Sequence, residues 1–136
     1  MSALPLRWRL RAGAAVALVP ALLPLVSFSR LARWLGRGAR HPHGAPDDAA
    51  LAAWVDATML RLPPPWRRTC LRRGAVLYHL LRRAGRPVEL RIGVRREAGG
   101  KMAAHAWLAL GNAPYLEAEP HVPTTFHEIA RFGGER

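Results

Sequence analysis

The chain predicts an α+β fold, helices first and then a small antiparallel sheet, on three observations. Apolar residues recur at helical spacing up to about residue 84, and from Val88 the period drops to two. Runs rich in Gly and Pro punctuate the segments between them. With 136 residues the chain is long enough for one modest core and short for two.

The first segment is basic and apolar. Arg7, Arg9 and Arg11 precede an apolar run from Ala14 to Val26 that Pro20 and Pro24 interrupt. The run imitates a signal peptide, yet it ends Val26-Ser27-Phe28-Ser29-Arg30 without a small-x-small cleavage site. It is also too short for a bilayer span, so one or two short helices are expected, packed on the domain or a partner. A basic-flanked apolar stretch also suits a bilayer surface, so membrane contact through residues 14–28 is kept as an expectation. Ser27 or Ser29 should cap a short helix through Leu35, which Gly36 stops. Residues 36–46 read as a linker, and its His41 and His43 lack a third ligand, so no metal site is expected. This divides the chain into a segment over 1–46 and a domain over 47–136.

Asp47 or Asp48 should cap the next helix, which carries Leu51, Trp54, Val55, Met59 and Leu62 at helical spacing. Pro63-Pro64-Pro65 ends it. A helix from Cys70 to Ala84 follows, with Cys70, Gly74, Leu77 and Leu81 on one face and Arg72, His79, Arg82 and Arg83 towards solvent. Gly85 stops it. Val88, Leu90, Ile92 and Val94 then alternate with Glu89, Arg91, Gly93 and Arg95, the signature of a strand with one buried face. A second strand covers Met102 to Leu110 and a third Tyr115 to Glu119, joined by a turn around Gly111. Beyond His121 no element is defined, though Phe126, Ile129 and Phe132 can dock as a closing segment.

Composition narrows the function. Cys70 is the only cysteine, which excludes a disulfide framework and a Cys-rich zinc module and fits a reducing cytoplasm. The net charge of +12 would suit a polyanion, but it comes almost wholly from Arg in a chain crowded with Ala, Gly and Pro. Basic and aromatic residues are not interleaved as single-strand binding requires, so nucleic acid is not an expected partner.

Cys70 stands where a nucleophile belongs. A thiol at a helix start feels the partial positive charge of unpaired N–H groups, and Arg67, Arg68, Arg72 and Arg73 act in the same direction, favouring thiolate. His105, in the apolar Ala104-His105-Ala106-Trp107, supplies a candidate base. A three-residue loop centred on Gly111 would set His105 opposite Glu117, with Cβ atoms about 5 Å apart. Moving that loop by one residue would select Glu119 instead, and a two-residue Gly111-Asn112 turn would put Glu117 on the wrong face. Trp107 shares the His105 face and should flank the site.

The helix Thr69-Cys70-Leu71-Arg72-Arg73-Gly74, the strand ending Gly93-Val94 and the run Ala104-His105-Ala106-Trp107-Leu108 together resemble a known family, the transglutaminase-like leader peptidases of lasso-peptide biosynthesis. The resemblance covers about residues 47–119. It implies a transglutaminase-like or papain-like cysteine protease core in which Cys70 is the nucleophile, His105 the base and then the acid, and Glu117 the third member. The family usually carries Asp at that place, and many members follow His-Ala-Trp with a branched residue and Glu, where this chain has Leu108-Ala109. The implied activity is removal of the leader from a ribosomally made precursor through a Cys70 thioester, in the cytoplasm or at its membrane face. The implied partners are the precursor's leader peptide, a separate leader-recognition protein and the lasso cyclase; no resident cofactor is implied, and dependence on ATP is compatible. The competing expectations are an acyl transferase built on the same thioester and a non-catalytic basic adaptor for a peptide or membrane.

Overall fold

Among the described residues four helices form: α2, α3 and α4 start where the sequence places them, whereas the first apolar segment, expected as one or two short helices, makes one longer helix. The computed structural model describes residues 4–37, 45–64, 66–117 and 119–133, so His41 and His43 lie outside the described residues. Helix α1 (Leu6–Leu22) is a single helix, with Trp8, Ala12, Ala15, Val16 and Val19 buried along one stripe. Pro20 falls in its last turn, where it removes one i→i−4 hydrogen bond close to the helix end. Among the described residues no helix is long and apolar enough to cross a membrane.

Helix α2 (Phe28–Leu35) starts at Ser27, whose hydroxyl accepts from the Arg30 N–H at 3.4 Å, and it ends at Gly36. Helix α3 (Asp48–Leu60) has Asp47 at its N-cap, but neither aspartate caps it through its side chain. Asp48 is instead buried, accepting from the Tyr115 hydroxyl and from Arg86 Nε at 3.1 Å. Helix α4 (Cys70–Arg83) is capped by Thr69, which accepts from the Arg72 N–H at 3.2 Å.

Helix α4 is the centre of the fold, packed against α1, α2, α3 and the sheet. Its expected core residues Gly74, Leu77 and Leu81 are all buried. Gly74 lets the sheet come close, since a Cβ there would sit 3.0 Å from Leu90 Cδ1. The expected solvent face is partly covered. His79 Nδ1 lies 3.0 Å from the Leu35 carbonyl, tying α2 to α4. Burial holds the His79 imidazole below its usual range, Arg83 acts the same way, and the bond to Leu35 opposes both.

The sheet contains β1 (Glu89–Arg96), β2 (Met102–Leu110), β3 (Ala113–Tyr115) and β4 (His127–Phe132), all pairings antiparallel, in the order β3-β2-β1-β4. The architecture is therefore α+β, four helices on a four-stranded antiparallel sheet. Strand β4 is the element that periodicity left undefined. It pairs with β1 from Leu90↔Phe132 to Val94↔His127 across an irregularity at Ile92/Gly93. Phe132 packs edge-on to Phe28 with ring centroids 5.3 Å apart, whereas Ile129 points to solvent. The trio Phe126, Ile129 and Phe132 therefore does not dock as a unit, because a strand turns Ile129 away from Phe132's side of the sheet.

Burial on β1 also departs from strict alternation. Leu90 is buried as expected, but so is Arg91, whose guanidinium reaches Glu89, Asn112 and Glu128. That ion-pair group lies on the face of β1 opposite Leu90. One buried cluster joins Trp8, Val16 and Val19 of α1 to Leu51, Leu77, Leu81, Leu90 and Leu108.

Candidate active site

Cys70 is the first residue of α4, and its thiol is free and exposed. Helix geometry leaves the Cys70 and Leu71 N–H groups at the start of α4 without helical partners, while Thr69 takes the Arg72 N–H. The approach to this helix start is held from two sides. Trp66 Nε1 donates to the Ala17 carbonyl of α1 at 3.0 Å, and the Arg68 N–H donates to the Met59 carbonyl at 3.2 Å. Of the four arginines expected to act on Cys70, two are matched by carboxylates. Arg68 Nε and Arg73 Nε both donate to Asp56 Oδ1, at 2.9 and 2.7 Å.

His105 sits on β2 opposite Gly93 of β1. A Cβ at Gly93 would lie 3.0 Å from Trp107 Cη2, Phe126 Cβ and the His127 carbonyl alike. Glycine is therefore what lets the two aromatics close around the histidine. The His105 ring stacks on Trp107 at 5.9 Å and lies 5.3 Å from Phe126. Trp107 flanks the site as the sequence predicts, while Phe126 arrives from the segment left undefined.

Glu117 reaches His105 by a different route from the one expected. The β2–β3 hairpin closes with the two-residue loop Gly111-Asn112, with φ of 61° and 70°, pairing Leu108 with Tyr115. The three-residue loop is thus overturned. Continued straight, this register would carry Glu117 to the wrong face, opposite Ala106. Strand β3 instead stops at Tyr115, short of the expected Glu119, and Leu116 takes a left-handed φ of 59°. That break swings Glu117 back towards β2, and its Oε1 lies 3.4 Å from His105 Nε2. Glu117 and His105 are largely buried side chains, 12% and 20% exposed. Glu119 is exposed and makes no hydrogen bond to His105.

Cys70, His105, Glu117 and Glu119 all line one cavity of about 590 Å³, together with Asp56 and Arg73. The Cys70 thiol and the imidazole are not hydrogen-bonded to each other; catalytic pairs are often this loose before substrate binds. Arg73 and Asp56 are the residues that sequence reasoning missed in this role. In the sequence Arg73 is only a positive charge near the thiol, yet its Nη1 is 3.5 Å from Glu117 Oε2 and its Nη2 donates to the Leu116 carbonyl at 2.6 Å. Among the described residues no group of three or more His, Cys, Asp or Glu could hold a metal ion.

The model of the transglutaminase-like superfamily matches residues 3–131, nearly the whole chain. The chain belongs to the transglutaminase-like superfamily. No curated protein and no solved structure matches it. The superfamily contains cysteine proteases, and this transglutaminase-like domain is consistent with a cysteine protease or acyltransferase kind of activity.

The same domain anchors the base of its short third strand through Tyr115. Burial first, then the hydrogen bond and charge of Asp48, push the Tyr115 phenol up to about 12. An unfolded tyrosine titrates near 10, so the folded state holds this proton more tightly. The resulting stabilisation is complete below about pH 10 and is lost as pH rises towards 12. The melting-temperature gap between wild type and Tyr115→Phe should accordingly be constant from pH 7 to pH 9 and shrink above pH 10. A gap that stays the same through pH 11.5 would contradict the assignment.

Proposed function

We propose that the chain is a cysteine peptidase that removes the leader from a ribosomally made lasso-peptide precursor. The observation that carries the chemistry is the Glu117–His105 pair in the cavity that Cys70 opens into. Glu117 accepting from Nε2–H fixes the tautomer in which Nδ1 keeps its lone pair, the arrangement a general base needs. Nδ1 takes the thiol proton as sulfur attacks the scissile carbonyl carbon. The oxyanion is stabilised in part by the Cys70 N–H at the helix start. Protonated His105 gives its proton to the departing amine, and the carbon–nitrogen bond breaks to leave a thioester on Cys70. His105 then removes a proton from water, whose oxygen attacks the thioester, and the leader carboxylate departs as sulfur regains its proton.

Support for the leader-peptidase substrate is the Cys-Leu-x-Arg helix start, the Gly93-Val94 strand end and the His-Ala-Trp strand in one chain. The proposal includes a separate leader-recognition protein that delivers the precursor, and a cyclase that consumes the freed amine. Incubation with precursor and recognition protein in ¹⁸O-water, with and without ATP, tests it by mass spectrometry. The expected products are a leader whose new carboxylate carries one ¹⁸O and a core peptide with a free N-terminus. An unlabelled acyl group joined to an amine would make the protein a transferase, and an untouched precursor would make it an adaptor.

A further inference from the structure

We propose that Arg73 is the positioning residue that aims Glu117 at His105, an inference that rests on reading Cys70, His105 and Glu117 as the reacting centre. The Arg73 side chain is 10% exposed and uses its guanidinium in three directions. Nε holds Asp56 on α3 at 2.7 Å, Nη2 holds the Leu116 carbonyl at 2.6 Å, and Nη1 lies 3.5 Å from Glu117 Oε2. A helix that carries the nucleophile thereby also holds the acid, three residues along.

The contacts fall on both parts of Glu117 that decide where it points. The carbonyl before it fixes the backbone at the left-handed Leu116, a conformation that costs a branched residue energy unless something holds it. The bond to Oε2 occupies one carboxylate oxygen and leaves Oε1 for His105. Asp56 fixes the far side of the guanidinium, so the fork cannot follow a drifting Glu117. An interaction made only for stability would not need to grip the acid's side chain and the peptide bond before it together. Lysine could supply the charge but not three diverging donors in one plane.

The test compares wild type with Arg73→Lys, Arg73→Gln, Glu117→Gln and the double variant Arg73→Gln/Glu117→Gln. One readout needs no substrate: the ¹⁵N spectrum of His105, which reports its tautomer. Wild type should show the Nε2–H form, and Arg73→Gln should give the same mixed tautomer as Glu117→Gln. The other readout is precursor turnover, where Arg73→Gln should lower kcat on the order of 10-fold or more with little change in KM, and lower it less than about 3-fold when Glu117 is already Gln. Arg73→Lys should behave like Arg73→Gln, and it gives the same decision if the Gln variant melts early. An unchanged tautomer in the Arg73 variants, or equal losses in both backgrounds, would overturn the role. If wild type leaves the precursor uncut, the peptidase reading fails on its own, and the tautomer comparison still decides Arg73.

Discussion

Cys70→Ala should abolish leader removal, with a fall in turnover on the order of 10⁴-fold or more, because no other group can form the thioester. The same variant should lose all labelling by a thiol-reactive probe, since Cys70 is the only cysteine in the chain. Its fold should survive intact. The side chain is exposed, the Thr69 cap is untouched, and alanine suits a first helical turn, so stability should stay within about 0.5 kcal/mol. Thermal melting and mass spectrometry of the processed precursor, run on one preparation, separate the two effects. Processing at the wild-type rate by Cys70→Ala would remove the peptidase reading altogether.

The second large effect belongs to the histidine and its acid. His105→Ala should cost on the order of 10³-fold in turnover, since both the base for the thiol and the acid for the leaving amine go with it. Glu117→Gln keeps a polar partner but removes the charge and the fixed acceptor role, so a loss on the order of 10²-fold is expected. Glu119→Gln should stay within about 3-fold, because Glu119 is exposed and makes no hydrogen bond to His105. Initial rates with the same precursor rank the three. A larger loss at Glu119 than at Glu117 would move the orienting role two residues along the chain and discard the pairing described above.

Much of this arrangement was legible in the amino-acid order. Caps and breakers announced α2, α3 and α4, and the change of period at Val88 announced β1 and β2. Cys70 and His105 were legible as candidates because one opens a capped helix and the other interrupts an apolar strand. What stayed hidden has physical causes. Strand β4 is six residues long, with one face exposed and the other only half-buried, so little hydrophobic contrast marks it. The left-handed bend at Leu116 is invisible because nothing in a leucine invites that conformation. Arg73 was concealed among arginines, where a charge run reads as a solvated face, and only the fold shows that this member is buried.

If Arg73 positions Glu117 as proposed, the aim of the acid is set at Leu116, where the chain leaves the sheet, and not by the length of the hairpin before it. Loop Gly111-Asn112 should then accept lengthening or exchange without moving the acid, provided Leu116 still meets the helix. The reactive geometry is thus insulated from the most variable kind of segment a protein has, and the hairpin tip becomes a place where new recognition sequence can be inserted at small chemical risk.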